Sequence, residues 1–334
     1  MYITSRREFL SSVAVTGAAL ASAAAPWASA AGAGGPDVAA PVRRPVDPNA
    51  PAGAAGTLLI GGDLQVNRLG FGAMRITGDG IWGEPRDTNE AFAVLRRAVE
   101  LGTNFIDTAD AYGPYVSERL IREALYPYPR GLLIATKGGQ VRPRQDEWLA
   151  DGRPEHLRAA CESSLTRLKL ERIDLYQLHR PDPQLPYEDS IGELAKLQKE
   201  GKIRHIGVSN VNAEQLAKAR TIVRVVSVQN RYNVADRSSD EVLGICEREQ
   251  IAFLPWGPLA QAAQASNTLN KSLVALEAIA KERKIDNNEA ALAWLLTRSP
   301  VMLPIPGTSQ VKHLEDNVGA AKIKLTPEEM ARVG

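Results

Sequence analysis

The chain has 334 residues, with 40 Lys and Arg against 39 Asp and Glu. That near-neutral balance argues against a dedicated nucleic-acid binder, which normally carries a basic excess or stripe. A chain with 44% apolar and 24% charged residues is globular rather than disordered. Two cysteines, Cys161 and Cys246, are too few for a disulfide scaffold or a Cys-rich zinc centre, and both are expected to be buried as small apolar residues.

The first elements are not part of a fold. Ser5-Arg6-Arg7-Glu8-Phe9-Leu10 is a twin-arginine core, followed by an Ala/Val/Leu-rich stretch and then Ala28-Ser29-Ala30. A charged region, an apolar region and a small-residue cleavage site make an export signal over 1–30. The apolar stretch is too short and too rich in Ala, Ser and Gly for a spanning helix. The twin-arginine translocation machinery is then a partner during export, and the destination is periplasmic or extracellular. An inefficient leader would leave the protein cytoplasmic. Residues 31–56 contain 18 Ala, Gly or Pro in 26 positions and read as a disordered linker. Residues 57–334 form the body, and it carries 36 basic and 36 acidic residues.

In the body, 58–60 and 64–66 flank Gly61-Gly62-Asp63 and predict a β-hairpin. Strand and helix then alternate. Strands are predicted at 69–74, 104–106, 132–135, 173–178, 204–208, 225–228, 251–254 and 301–303. Helices are predicted at 89–100, 117–125 (capped by Ser117), 154–168, 190–200, 213–219, 240–249, 273–282, 289–296 and 311–319. Alternation implies parallel strands joined by right-handed crossovers. Eight units over this length fit an α/β fold, a closed (β/α)8 TIM barrel with an N-terminal β-hairpin. A doubly wound sheet would carry a G-x-G-x-x-G turn, and none occurs. There is no P-loop and no H-E-x-x-H, so no metal site is expected.

In such a barrel the chemistry lies where strands end. The second strand ends in Asp107 with Tyr112 five residues on, the third in Lys137 and the fourth in His179. A phenol titrates near pH 10 and is a poor acid at neutral pH. An ammonium beside it is expected to lower that value, a carboxylate to hold the ammonium, and an imidazole to bind a substrate oxygen. Together they can give a proton to a carbonyl oxygen or take one from an alcohol. The matching hydride donor is a nicotinamide.

Asp107, Tyr112, Lys137 and His179 resemble, in order and placement, the catalytic tetrad of the aldo-keto reductase superfamily. Ile206-Gly207-Val208-Ser209-Asn210, Val228-Gln229-Asn230 and Pro304-Ile305-Pro306-Gly307-Thr308 extend the similarity over about 57–320. Leu178-His179-Arg180-Pro181-Asp182-Pro183 and Pro306-Gly307-Thr308-Ser309 look like a bacterial branch that includes pyridoxal reductases.

The resemblance implies an NADPH-dependent reductase of small aldehydes or ketones, with Tyr112 as proton donor and NADH as the second candidate cofactor. It implies that Ser209, Asn210 and Gln229 bind the nicotinamide carboxamide. Trp256, followed by Pro258 and Leu259, stacks under the ring, and Gly72, Ala73 and Met74 lie against ribose and pyrophosphate. Gly307, Thr308, Ser309, Gln310, Asp316 and Asn317 take the adenosine end, where a helix N-terminus suits a phosphate. Many members carry a Lys after the Ile-Pro pair and an Arg six residues later; here these are Gly307 and His313. Trp82 and Trp148 are expected to wall the substrate pocket, Arg142 and Arg144 to lie on a solvated loop, with selection of an anionic substrate as their alternative, and 257–270 to form a flap. The alternative function is a nicotinamide-binding redox sensor or auxiliary subunit with little turnover.

Overall fold

The computed structural model describes residues 49–259 and 271–334. The export signal, most of the linker and most of the expected flap lie outside the described residues.

Strands β1 (Thr57–Ile60) and β2 (Leu64–Asn67) pair as the expected antiparallel hairpin. Seven strands then form one parallel sheet in chain order: β3 (Phe71–Gly72), β4 (Phe105–Asp107), β5 (Leu133–Gly138), β8 (Ile173–Leu178), β9 (Ile203–Ser209), β10 (Val225–Gln229) and β11 (Ala252–Phe253). Between β5 and β8 the chain adds a small hairpin, β6 (Gln140–Val141) with β7 (Leu149–Ala150).

The expected eighth strand closes the ring by sparse bonds. Phe253 N donates to Val301 O at 2.9 Å, and Leu303 N to Phe253 O at 2.8 Å. On the other side Gly70 N reaches Pro304 O at 2.9 Å and Gly72 N reaches Pro306 O at 3.2 Å. Prolines have no N–H to return, so this side of the ladder runs one way only.

The crossovers are α1 (Thr88–Glu100), α2 (Val116–Leu125), α3 (Pro154–Leu168), α4 (Tyr187–Lys199), α5 (Ala213–Arg220) and α6 (Asp240–Glu249). After β11 come α7 (Lys271–Arg283), α8 (Asn287–Arg298), α9 (Val311–Gly319) and α10 (Pro327–Val333). Side chains that satisfy the first free N–H groups start several of them. Asp87 caps α1, and capping boxes open α5 (Asn212 with Gln215), α8 (Asp286 with Glu289) and α10 (Thr326 with Glu329). Helix α10 has no counterpart among the predicted elements.

Three expectations need correction. Ser117 does not cap α2: the helix opens after Tyr115, whose φ is 68°, and Ser117 Oγ turns inward to Thr108 Oγ1 at 2.8 Å. The expectation of disorder fails at the described end of the linker. Pro51–Ala55 form a 3-10 turn with Ala52 and Ala55 buried, and Ala52 N donates to Leu101 O at 2.9 Å. Side chains this small fit against the end of α1 without a further groove. Strand β3 is shorter than expected, because Ala73–Ile76 coil into a 3-10 turn.

The hairpin stoppers the barrel. Ile60, Leu64 and Val66 share one buried cluster with Phe105, Leu133, Leu175, Val226, Leu254 and Leu303 from the strands. Its turn docks on β9, where Asp63 accepts from His205 Nε2 at 2.7 Å and from Arg204. Gly61 is needed there, with φ of 64° and a would-be Cβ 2.5 Å from the His205 ring.

Candidate active site

At the other end of the barrel, the strand ends surround a cavity of about 500 Å³. The strand order brings four side chains together there. Lys137 Nζ donates to Asp107 Oδ1 at 2.6 Å, to Thr108 O at 2.9 Å and to Tyr112 Oη at 3.3 Å. Its three N–H groups are thereby all used, which a fully buried ammonium requires. Lys137 does not line the cavity; it stands behind Asp107 and Tyr112, which do. The other oxygen of Asp107 accepts from Gln177 Nε2 at 3.1 Å and from Gln229 Nε2 at 2.8 Å. His179 lies edge-on to Tyr112 with ring centres 5.8 Å apart, and Trp148 lies edge-on from the other side at 6.5 Å.

Burial and charge compete at these groups. Burial alone would lower the Lys137 pKa, but Asp107 and Tyr112 outweigh it and hold it above the usual value. At Tyr112 burial wins: the phenol pKa is raised, against the pull of Lys137. This corrects the expected direction, because desolvation of a buried phenolate exceeds one attraction at 3.3 Å. Burial, with Lys137 and Arg180 adding to it, pushes His179 well below its ordinary range, so the imidazole is neutral. Its Nδ1 is buried without a partner among the described residues.

Gly72, Met74, Ser209, Asn210, Gln229, Trp256, Pro258, Leu259 and Gly307 line the same cavity. Ala73, expected with them, does not line the cavity; it is buried in the apolar cluster with Phe71, Ile76 and Leu95. Trp256 is 37% exposed, and its indole N–H donates to Asn210 Oδ1 at 3.0 Å, which fixes the plane of the ring. Asn210 spends its own N–H groups on His179 O and Ser209 Oγ, and Ser209 donates to Gln229 O at 2.6 Å. The chain segments approach closely at Gly72 and Gly307, where a Cβ would stand 2.6 Å from Ile305 O and 2.5 Å from Gly72 O.

Thr308, Ser309, Gln310, Asp316 and Asn317 are not among the residues lining the cavity. Thr308 Oγ1 accepts from Gln310 N at 3.1 Å, Asn317 is buried in α9, and exposed Asp316 stands 3.7 Å from Lys312. The first N–H of α9 is already taken: Val311 N donates to Glu90 Oε1 at 3.0 Å.

Trp148 lines the cavity, as expected, but Trp82 does not. Nor is Arg142 solvated: it is buried, with its guanidinium 3.6 Å from the Trp148 ring centre and 5.4 Å from that of Trp82. It donates to the carbonyls of Ile81 at 3.1 Å and Gly80 at 3.2 Å, and to Gln145. A guanidinium between two indoles needs such acceptors, and the loop carbonyls supply them. Arg144 stays exposed beside Glu147.

Sequence reasoning missed Gln177, Gln140, Arg75 and Arg180. The signal for Gln177 was available, since it lies two residues before His179 on the same strand face.

A buried lysine clamped between a carboxylate and a phenol, at the mouth of a (β/α)8 barrel, defines a proton-transfer site of the barrel oxidoreductase class. Residues 68–334 match the aldo/keto reductase family, and the chain belongs to that family. It is 52% identical over 282 residues to an uncharacterized oxidoreductase of Schizosaccharomyces pombe, covering 84% of this chain and 90% of that one. It is 42% identical over 277 residues to pyridoxine 4-dehydrogenase of Escherichia coli, covering 81% and 94%. Among solved structures, an aldo-keto reductase from Klebsiella pneumoniae in complex with NADPH superposes with a TM-score of 0.70 at 27% identity, covering 83% and 93%.

Proposed function

We propose that this protein is an NADPH-dependent reductase of small aldehydes or ketones, with Tyr112 as the proton donor. The observation that carries the reading is Lys137, held by Asp107 at 2.6 Å and facing the Tyr112 hydroxyl at 3.3 Å. The NADPH complex of the Klebsiella relative supports the cofactor, and the E. coli relative supports a pyridoxine-type alcohol or its aldehyde as one substrate.

The cavity's residues fit a nicotinamide. Ser209 and Asn210 have committed all their side-chain donors to the protein and Gln229 one of its two, so acceptor lone pairs predominate toward the cavity. Converging acceptors suit a carboxamide NH2. The orientated Trp256 face suits a flat ring, and Gly72 and Gly307, packed against each other's segments, line the same cavity. When bound, the dinucleotide supplies the hydride that reduces the carbonyl carbon.

The residues do the rest. Tyr112 is protonated before reaction, because burial raises its pKa, and its proton passes to the carbonyl oxygen. The phenolate left behind is stabilised by Lys137. His179 is neutral and has no acceptor at Nδ1, so Nε2 carries the hydrogen and donates it to the same carbonyl oxygen. The test is to mix purified protein with NADPH and a panel of simple and pyridine-type aldehydes, and to follow loss of the reduced-nicotinamide absorbance. Bound cofactor without turnover on any of them would favour the sensor reading.

The twin-arginine core Arg6-Arg7 supports export of the folded protein. Fractionation of cells expressing the native chain and an Arg6→Lys/Arg7→Lys variant tests it. Identical distributions would overturn the exported location.

A further inference from the structure

Besides His179, three polar groups that line the cavity have no side-chain partner among the described residues: Arg75, which stands beside Gly307 on the wall assigned to the dinucleotide, and Gln140 and Arg180. Gln140, in the small hairpin β6–β7, is 7% exposed and lines the cavity, yet its amide makes no hydrogen bond among the described residues. Arg180 follows His179 and lines the same cavity. Its guanidinium has no hydrogen bond or ion pair among the described residues.

Among the described residues that line the cavity, none offers Arg180 a free counter-charge. Asp107 is the one carboxylate lining the cavity among the described residues, and Lys137, Gln177 and Gln229 occupy it. By contrast Arg231, also on the cavity wall, is paired with Asp236 at 3.1 Å. Arg180 is exposed at the cavity wall, so a neutral substrate packed against it would displace part of its water without replacing it, which costs free energy. An anionic oxygen on the substrate would replace that water with a charge-assisted hydrogen bond. Gln140 adds a second, neutral donor. The Trp148 indole, backed by Arg142 at 3.6 Å, is a stiff flat wall for the ring that carries both groups.

We propose that Arg180 and Gln140 form an anchor for an acidic oxygen substituent, so that the preferred substrate is an aromatic aldehyde bearing a carboxylate or phenolate. The proposal rests on the reductase reading above. The acidic group binds and does not react; only the aldehyde is reduced.

The test uses the purified protein with NADPH and compares benzaldehyde, the three carboxybenzaldehydes, their carbamoyl counterparts and 2-hydroxybenzaldehyde. At least one carboxylated isomer, or the 2-hydroxy compound, is expected to exceed its neutral counterpart by about ten-fold in kcat/KM. Arg180→Met should bring that ratio close to one, Arg180→Lys should restore part of it, and Gln140→Leu should reduce it by a smaller factor. As a readout besides turnover, benzoate binding to the NADP-loaded protein, measured by calorimetry, should weaken about ten-fold in Arg180→Met. A preference confined to 2-hydroxybenzaldehyde assigns the anchor to phenolate. Reduction of benzaldehyde with no preference for any acidic compound, or a preference that survives in Arg180→Met, overturns the anchor while leaving the reductase reading intact. No reduction of any aldehyde overturns the reductase reading itself.

Discussion

Gln229, at the end of β10, donates its side-chain N–H to Asp107 Oδ2 on β4 at 2.8 Å, across the barrel mouth. The backbone oxygen of the same Gln229 accepts from Ser209 Oγ and from Asn210 N at 3.0 Å. The wall assigned to the nicotinamide and the carboxylate that holds Lys137 are therefore one network. Gln229→Leu is expected to cost about 1–3 kcal/mol of stability, because it strips a donor from a buried carboxylate. Urea unfolding measures this, and cofactor titration should show weaker binding in the same variant. Unchanged stability and unchanged affinity would mean the two halves of the site are independent.

Tyr112→Phe is expected to lower kcat for reduction by about 10²–10⁴-fold. Cofactor affinity should hardly change, since the ring still fills its place between His179 and Trp148. Retention of more than about a tenth of kcat, a barrier change under about 1.4 kcal/mol, would remove Tyr112 from its assigned role.

The pH dependence of reduction follows from two directions. Tyr112 must start protonated, and its pKa lies above the ordinary phenol value. His179 must stay neutral, and its pKa lies well below the ordinary imidazole value. Between them kcat should be flat across about pH 7–9. A basic limb centred near pH 8 would show that Lys137 prevails over burial in the loaded enzyme.

Trp256→Ala should weaken cofactor binding by about 1–2 kcal/mol, through lost stacking and burial. It also frees Asn210 Oδ1 from its 3.0 Å bond to the indole N–H. Fluorescence titration with NADPH is the measurement. An unaltered affinity combined with a raised KM for aldehyde would place Trp256 on the substrate wall instead.

The hairpin latch should make stability acid-sensitive. Burial depresses the His205 pKa, with Asp63 acting against it. At Asp63, burial acts upward but His205 and Arg204 outweigh it, and the net direction is down. Both folded values are depressed, so the unfolded chain binds more protons and stability is lost as the pH falls. The His205 contribution fades below about pH 6.5 and that of Asp63 below about pH 4. Asp63→Asn should cost about 1–3 kcal/mol at pH 7, a gap that narrows as Asp63 protonates in the native protein. A gap that stays constant down to about pH 3 would assign the loss to packing instead.

Much of the site was legible before any coordinates, since Asp107, Lys137 and His179 each follow a short apolar run, and a barrel gathers strand ends at one rim. The sequence carries a further signal near its C-terminal end. Thr326-Pro327-Glu328-Glu329 is a helix start, and it opens α10. Arg142 left none: a charged residue in a polar loop looks solvated until two indoles and several carbonyls close around it.

The sequence by itself determined the alternation of strands and helices, their order and the residues at each strand end. Those depend on local periodicity and chain direction, which neighbouring residues carry. Only the tertiary structure decided which of those residues touch. Asp107 and Gln229 are 122 positions apart, and no local pattern encodes a 2.8 Å bond between them. The same holds for the direction in which Tyr112 shifts. Its partner Lys137 could be named from the sequence, but the desolvation that outweighs that partner exists only once the barrel has closed around both.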